Sequence, residues 1–249
     1  MSAIMHQETI IYGEKNAPLH GYVAYDDKVE GKRPAVLVSH AWRGQDDFAR
    51  MKVEKFAEMG YVGFAVDYYG AGKSVVKNED AKALMLPLFE DRALLQTRMQ
   101  QAYDVVKVHP LVDAKRIGGI GFCFGGLAII ELFRSGVDLA GVVSFHAVLG
   151  TKIDHVQAKR LPIAAGIKGS ILLMHGYEDP LVSQADLQAT QQELNDAKID
   201  WQLHIYGQTS HAFTVPTAND KSLGLIYNPK AESRSWQEMK DFFSEIFSR

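Results

Sequence analysis

The chain has 249 residues, of which 47% are hydrophobic and 23% charged, and its formal net charge is −3. A chain of this length can bury a sizeable core, and its composition excludes intrinsic disorder. The small net charge, without a long run of one sign, disfavours nucleic-acid binding and an electrostatic membrane anchor. One cysteine cannot form an internal disulfide, no secretory signal is recognised, and no apolar run approaches the ~18 residues that span a bilayer. We therefore expect a cytoplasmic protein that binds neither nucleic acid nor membranes.

Short apolar runs alternate with longer helical patterns along the chain. In chain order, strands are predicted at residues 9–12, 21–25, 35–39, 61–66, 116–120, 140–145, 171–174 and 201–206. Helices are predicted at residues 48–59, 90–108, 123–135, 183–197 and 233–247. Strands that alternate with helices imply a mostly parallel sheet covered on both faces, so we expect an α/β fold in one domain over residues 1–249.

A strand-to-helix turn carries the strongest functional signal. Gly121-Phe122-Cys123-Phe124-Gly125 places the cysteine between glycines, after a predicted strand and before a predicted helix. Such a turn pushes its central side chain above the sheet edge, and the following helix N-terminus favours a thiolate. A free cysteine is ordinarily a small buried hydrophobic residue, but this setting favours a nucleophile. The backbone N–H of Phe124 would then face the oxyanion of the reaction.

A nucleophile at such a turn needs an acid and a histidine later in the chain, in that order. Asp179 follows a predicted strand and precedes a proline, and its neighbour Glu178 is the nearest competitor. His211 follows the strand at 201–206 through a short polar loop. The sequence therefore predicts a Cys123–His211–Asp179 triad, with a solvated loop histidine as the alternative interpretation of His211.

Other polar residues are candidates for the surroundings of this site. His40 and His146 fall at predicted strand ends and are candidates for the substrate pocket, while His175 is expected to support the loop that carries the acid. No histidine is spaced with cysteine or carboxylates as in a zinc site, so we expect no metal and no cofactor. The run Gly70-Ala71-Gly72-Lys73-Ser74 suggests a phosphate-binding loop, but Asp67 stands where that pattern requires glycine. We interpret the run as a loop beside the pocket.

These residues resemble the dienelactone hydrolase family of the α/β-hydrolase superfamily. The matching segments are Val38-Ser39-His40-Ala41-Trp42-Arg43-Gly44, residues 61–72, Gly121-Phe122-Cys123-Phe124-Gly125-Gly126, His175-Gly176 with Asp179, and His211-Ala212-Phe213. A cysteine rather than a serine at the turn is the most specific feature. The resemblance implies an α/β-hydrolase fold, a Cys–His–Asp triad, and the backbone N–H of Trp42 as a second oxyanion donor. It also implies hydrolysis of a small-molecule ester, lactone or thioester.

Two positions depart from the pattern of that family. Ala41 stands where members that open dienelactones carry a glutamate beside the resting thiol. Val215 stands where they carry an arginine that holds the substrate carboxylate. Arg43 and Arg92 are the candidates for supplying positive charge instead. The chemistry is expected to be retained, but the departures argue against dienelactone itself as the substrate.

The predicted reaction runs through an acyl-thioester on Cys123, with His211 as base and Asp179 orienting its ring. A thiol redox sensor and a non-catalytic ligand-binding protein are the alternative interpretations. A sensor needs a resolving partner, and the chain has no second cysteine. A ligand-binding protein has no need of a complete triad. The loop over residues 149–168 is long enough to form a wall or lid of the pocket.

Overall fold

The computed structural model describes residues 5–249. Its strands are β1 (Met5–Glu14), β2 (Ala17–Asp26), β3 (Arg33–Ser39), β4 (Val62–Val66), β5 (Val112–Phe122), β6 (Gly141–Phe145), β7 (Lys152–Ile153), β8 (Val156–Gln157), β9 (Ser170–Gly176), β10 (Asp200–Tyr206), β11 (Asn219–Asp220) and β12 (Leu225–Ile226). Its helices are α1 (Asp47–Glu58), α2 (Asn78–Glu90), α3 (Arg92–Val108), α4 (Phe124–Arg134), α5 (Gln184–Asp196) and α6 (Pro229–Ile246).

Eight of these strands form one sheet in the order β1-β2-β4-β3-β5-β6-β9-β10. β1 and β2 pair antiparallel, as do β2 and β4, and the remaining neighbours pair parallel. The pairs β7–β8 and β11–β12 form two small antiparallel hairpins outside the sheet. The predicted α/β-hydrolase fold, with a mostly parallel central sheet flanked by helices, is confirmed.

The central strands are buried on both faces because helices cover both sides of the sheet. Every residue of β3, β4, β6 and β9 is buried, as expected of continuous apolar runs in a parallel sheet. One apolar cluster packs the sheet against α2, α3, α4 and α5, and a second packs it against α1 and α6. The apolar stripe of α6 thus docks on the core.

Several boundaries differ from the sequence-based expectation. The pattern does not predict α2, because Pro87 lies inside that helix and masks its periodicity. α3 begins at Arg92, since Asp91 caps it by accepting a hydrogen bond from Leu94 N at 2.9 Å. α6 begins at Pro229, four residues before the predicted start, and proline is favoured at a first helical position.

The parallel arrangement brings the ends of several strands to one edge of the sheet. The loops after β3, β5, β6, β9 and β10 all begin at that edge, and they carry the residues singled out from the sequence. Within residues 5–249, no helix has both the length and the apolar character needed to cross a bilayer.

Candidate active site

Cys123 lies at the sharp turn between β5 and α4. Its φ of +55° and ψ of −118° are unfavourable for a residue with a side chain. The backbone crossing there is close enough to require glycine, because a Cβ on Gly121 would lie 2.0 Å from the Gly125 carbonyl oxygen. A Cβ on Gly125 would lie 2.2 Å from the His40 carbonyl oxygen. The turn therefore has the strained geometry that the glycine spacing predicts.

Two cavities meet at Cys123. The larger cavity, of about 600 Å³, runs past His211, His146 and Val215. The smaller cavity, of about 320 Å³, runs past Val148 and Ile153. Cys123 is partly exposed and lines both. The sulfur is thus open to a substrate that could extend in two directions.

Asp179 and His211 are joined by a hydrogen bond. His211 Nδ1 lies 2.7 Å from Asp179 Oδ2, and both side chains are fully buried. The second oxygen, Oδ1, accepts from the Leu181 backbone N–H at 2.9 Å. Glu178, the competing acid, is exposed. His175 Nδ1 lies 3.9 Å from Asp179 Oδ2, so His175 stands beside the acid loop, but at a distance too long for the hydrogen bond expected of it.

The charge of His211 is governed by its neighbours. Burial of the ring disfavours its charged form, but the electrostatic interaction with Cys123 and the hydrogen bond to Asp179 outweigh burial. The pKa of His211 is raised from 6.5 to about 10 as a result. Its Nε2 is buried without a hydrogen-bond partner of standard geometry, and the residue lines the larger cavity with Cys123. A protonated ring of this kind can donate a proton to a group bound in that cavity.

His146 also reaches the larger cavity, as predicted from its position after β6. Its φ is +40°, and its Nε2 lies 2.8 Å from Thr214 Oγ1. Its ring centroid is 4.9 Å from that of His211, in an edge-to-face arrangement. Burial and repulsion from His211 hold the pKa of His146 well below its usual value. His146 is therefore a neutral ring packed against a charged one.

His40 takes a different position, and the expectation that it lines the pocket is corrected. It is fully buried and stacks on Tyr68 with ring centroids 3.8 Å apart, and it does not border either cavity at Cys123. Its Nδ1 lies 2.7 Å from the Ala41 carbonyl oxygen. Burial lowers the pKa of His40 to about 4. His40 thus supports the loop after β3 from beneath.

The two arginine candidates for binding the substrate lie in different environments. Arg43 lines the larger cavity, where it donates to Asn78 Oδ1 at 2.8 Å. Arg92 is buried in an ion pair with Glu131, at an N···O distance of 3.1 Å, and donates to the Gly150 carbonyl oxygen at 3.3 Å. Arg92 borders neither cavity at Cys123. Its candidacy as a substrate ligand is corrected, because its guanidinium is occupied by an internal carboxylate.

The backbone groups proposed for the oxyanion flank Cys123. Phe124 is the first residue of α4, and the N–H groups of a helix's first turn have no acceptor within the helix. Trp42 lines both cavities, and its carbonyl oxygen accepts from Tyr69 Oη at 2.8 Å. That hydrogen bond holds the turn after β3 in place.

The glycine-rich loop after β4 encloses a carboxylate of the protein itself. Asp67 is fully buried and accepts hydrogen bonds from the backbone N–H groups of Tyr69, Gly70 and Gly72 at 2.7–2.9 Å. It also accepts from His20 N at 2.8 Å. The donors that a phosphate would need are thus already used, which supports interpreting this run as a structural loop.

Some residues around the site have no recognisable signal in the sequence. Thr214 and the smaller cavity's apolar residues Met85, Leu181 and Leu223 are examples. The segment 149–168 carries a short hairpin, and Lys152, Ile153 and Asp154 of that hairpin line the smaller cavity. Within residues 5–249, no cluster of three or more histidine, cysteine or acidic residues is arranged to bind a metal ion.

A cysteine at a strand-to-helix turn, with a buried His–Asp pair in later loops over a mostly parallel sheet, defines an enzyme of the α/β-hydrolase class. The sequence profile of the dienelactone hydrolase family matches residues 19–247, so the chain belongs to that family. It is accordingly a dienelactone-hydrolase-like carboxylic ester hydrolase.

Relatives and solved structures agree with that assignment. A putative carboxymethylenebutenolidase of Aquifex aeolicus is 28% identical over 238 residues, covering 92% of this chain and 95% of the relative. A probable 2-oxo-3-(5-oxofuran-2-ylidene)propanoate lactonase of Bradyrhizobium sp. is 24% identical, covering 84% of this chain and 82% of the relative. The crystal structure of a dienelactone hydrolase-like promiscuous phosphotriesterase from metagenomic libraries superposes with a TM-score of 0.89 at 32% identity, covering 98% of this chain and 99% of that one.

Proposed function

We propose that the chain is a cysteine hydrolase of small-molecule carboxylic esters, lactones or thioesters. Cys123 is the nucleophile, His211 transfers protons, and Asp179 orients the imidazole ring. The observation that carries this proposal is the 2.7 Å hydrogen bond from His211 to Asp179 in the wall of the cavity that also exposes Cys123. The strained backbone of Cys123 supports the same assignment.

The first half-reaction forms an acyl-thioester. The Cys123 thiolate attacks the carbonyl carbon, and the carbon–oxygen π electrons move to the oxygen. The backbone N–H groups of Phe124 and Trp42 donate to that oxyanion. When the carbonyl re-forms, the bond to the leaving alkoxide breaks, and the proton on His211 Nε2 passes to the alkoxide oxygen. The raised pKa of His211 supports a resting state in which that proton is already present.

The second half-reaction releases the acid. His211, now neutral, takes a proton from a water molecule, and the resulting hydroxide attacks the thioester carbonyl. Collapse of the intermediate expels the Cys123 thiolate and leaves His211 protonated again. The overall change is ester plus water to carboxylic acid plus alcohol, so water is the only co-reactant that the two half-reactions need. Asp179 keeps its charge throughout and stabilises the protonated ring.

The two departures from the family pattern bear on the substrate. Ala41 and Val215 both line the larger cavity, so the missing glutamate and arginine would have faced the substrate. The relatives are named as a carboxymethylenebutenolidase and a lactonase, which favours trying lactones alongside simple esters. We extend the proposal to esters, lactones and thioesters as a class and not to dienelactone in particular.

The decisive experiment compares the wild type with Cys123→Ala and Cys123→Ser on p-nitrophenyl acetate. We expect Cys123→Ala to lose on the order of a thousandfold or more of kcat/KM, because the covalent route is removed. Intact-mass spectrometry after rapid acid quench should find an acetyl adduct on the wild type, and iodoacetamide should abolish both adduct and turnover. Turnover by Cys123→Ala at the wild-type rate would refute the mechanism.

A further inference from the structure

The two cavities at Cys123 share only part of their walls. Trp42, Cys123 and Leu225 border both. A carbonyl carbon held against the sulfur therefore has one substituent in each cavity. An ester has two different substituents at that carbon, the acyl chain and the alkoxy group. Which of these two substituents lies in which cavity determines whether that cavity discriminates between acyl chains or between alcohols.

His211 distinguishes the two directions. It borders the larger cavity and does not border the smaller one. A general acid must lie within hydrogen-bond reach of the atom that it protonates, which here is the leaving-group oxygen. The alkoxy oxygen therefore has to lie on the His211 side of the carbonyl carbon. The acyl chain is then left with the smaller cavity.

We infer that the larger cavity is the site for the leaving group and that the smaller cavity is the site for the acyl chain. This inference rests on the proposed function, because it requires that Cys123 be acylated and that His211 protonate the alcohol. It adds what that proposal does not specify, namely the chemical class of each half of the substrate.

The larger cavity is acidic. Asp46, Asp47 and Asp220 line it, and its lining cations within residues 5–249 are Arg43 and the protonated ring of His211, whose charge is paired with Asp179. Arg43 is engaged by Asn78 and lies 5.8 Å from the centre of the Trp42 ring. Because the charge of His211 is balanced by Asp179, three carboxyl groups face one guanidinium, which favours a neutral or cationic alcohol and disfavours an anionic one.

The smaller cavity is mainly apolar. Met85, Val148, Ile153, Leu181 and Leu223 contribute aliphatic side chains to it. The charged pair at its border, Lys82 and Asp154, is mutually neutralised at an N···O distance of 2.8 Å, and Lys152 adds one further positive charge. Its volume of about 320 Å³ lies at the small end of the range for ligand pockets. It therefore fits a short to medium apolar acyl chain.

Two tryptophan substitutions on the same segment separate the cavities. Thr217 borders only the larger cavity, and Leu223 borders only the smaller one. Both are exposed, so a larger side chain can be tolerated by the fold at either position. The variants Thr217→Trp and Leu223→Trp are thus matched controls for each other, and neither residue is assigned to the triad.

We would measure kcat/KM, which reports the acylation step, for two series of esters. Each reaction is monitored by the acid that it releases. One series keeps p-nitrophenol and lengthens the acyl chain from acetate to decanoate. The other keeps the acetyl group and varies the alcohol through acetylcholine, its neutral isostere 3,3-dimethylbutyl acetate, and the anionic acetoxyacetate. We expect the wild type to act fastest on acetylcholine and slowest on acetoxyacetate.

Each variant should change the relative kcat/KM values within one of the two ester series. Leu223→Trp should lower kcat/KM roughly tenfold for the longer acyl chains relative to acetate, without changing the order of alcohols. Thr217→Trp should lower it by a similar factor for acetylcholine and 3,3-dimethylbutyl acetate relative to acetoxyacetate, whose alcohol is smaller, without changing the chain-length profile. Exchanged effects, a change by either variant in both the chain-length profile and the order of alcohols, or no change in either profile would overturn the assignment. Absence of Cys123-dependent hydrolysis in the wild type would instead overturn the proposed function.

Discussion

The protein buries two charged clusters that differ in what their groups contact. The first, which we call the triad cluster, consists of the proposed catalytic residues Cys123, Asp179 and His211 with the neighbouring His146. The arginine cluster consists of Arg92, Glu131, Arg134, Arg160 and Glu193. The triad cluster borders a cavity of about 600 Å³, whereas the arginine cluster encloses a void of about 10 Å³, enough for about one water molecule.

The arginine cluster satisfies its own carboxylates. Each oxygen of Glu131 has a donor, at 3.1 Å from Arg92 and 3.2 Å from Gln96. Both oxygens of Glu193 accept from Arg134, and one also accepts from Arg160 at 3.1 Å. Three backbone carbonyl oxygens over residues 149–161 accept from the same arginines.

The triad cluster is incomplete by comparison. Nε2 of His211 and Nδ1 of His146 are buried without a hydrogen-bond partner. Buried polar atoms normally have hydrogen-bond partners. Unpaired polar atoms beside a cavity therefore indicate groups that are available to bind a substrate or to exchange a proton. Nε of Arg134 in the arginine cluster is unpaired as well. The two clusters therefore differ in what surrounds their unpaired atoms: those of the triad cluster belong to residues that line a cavity large enough for a substrate.

The largest expected effect tests the triad cluster through its acid. Asp179→Asn should lower kcat/KM for p-nitrophenyl acetate by on the order of a thousandfold to ten thousandfold, because the imidazole loses the partner that fixes its tautomer. Circular dichroism should remain that of the wild type. The matched control is Glu178→Gln, whose side chain is exposed. A Glu178→Gln defect as large as that of Asp179→Asn would reassign the acid.

The next effect tests the arginine cluster by stability. Glu131→Gln should lower the free energy of unfolding by about 3 kcal/mol, since it leaves buried guanidinium groups without their carboxylate. The turnover per folded molecule should stay near that of the wild type. Arg116→Gln is the control, because the Arg116–Asp113 pair is partly exposed and should contribute at most about 1 kcal/mol. A loss of activity without a loss of stability in Glu131→Gln would contradict a structural role.

A third prediction concerns pH and contrasts two adjacent rings. The folded-state pKa of His211 is about 10 against an ordinary 6.5, so its protonation stabilises the fold below pH 6.5. That contribution is lost as the pH rises from 6.5 through about 10. The pKa of His146 is shifted downward, so its contribution is present above pH 6.5 and is lost as the pH falls below that value.

Nitrogen-15 NMR of labelled histidines can check both directions at once. His211 should remain protonated well above neutral pH, and His146 should remain neutral on the acid side of its ordinary titration. In Asp179→Asn the pKa of His211 should fall, because one of the interactions that raise it is removed. Titration of both rings together near their ordinary pKa would refute the electrostatic contrast.

The smallest expected effect tests whether the arginine cluster influences substrate binding at the site. Arg160 donates to the Leu149 carbonyl oxygen at 2.9 Å and so fixes the segment that precedes the hairpin of β7 and β8. Arg160→Gln should raise KM a few-fold for long-chain acyl esters while kcat stays nearly constant. Lys159→Gln changes an exposed neighbour and should leave KM unchanged. A lower kcat with an unchanged KM would place the effect on the triad instead.

Local patterns predicted much of this fold. Gly121 is recognisable because the constraint that it meets, the Gly125 carbonyl oxygen, lies four residues away. Gly125 is constrained by the distant His40 carbonyl oxygen and is recognisable only through the motif. Asp179 and His211 are recognisable because each follows a strand whose carboxyl end lies at the shared sheet edge. The buried strands followed from continuous apolar runs. These inferences require only neighbours in sequence and the rule that parallel strands end together.

Contacts between segments that are distant in sequence could not be predicted. Arg92 is a plausible substrate ligand until Glu131 is seen beside it, 39 positions along the chain. His40 and His146 both follow strands, yet a positive φ turns one toward the cavity and a tyrosine covers the other. Periodicity does not reveal α2 because of Pro87, and two-residue strands such as β7 and β8 are too short to give a pattern.

The glycine-packed turn at Cys123 also limits which positions of this enzyme can vary in evolution and in redesign. Positions 121 and 125 tolerate no side chain, because the backbone of a neighbouring segment occupies the space. Residues 152–154, 215–220 and 223 border the cavities from segments outside the main sheet, and several of them are solvent-exposed. Variation can therefore accumulate in those loops while the reactive centre is inherited unchanged. A mutant library confined to them explores new substrates at little risk to the chemistry.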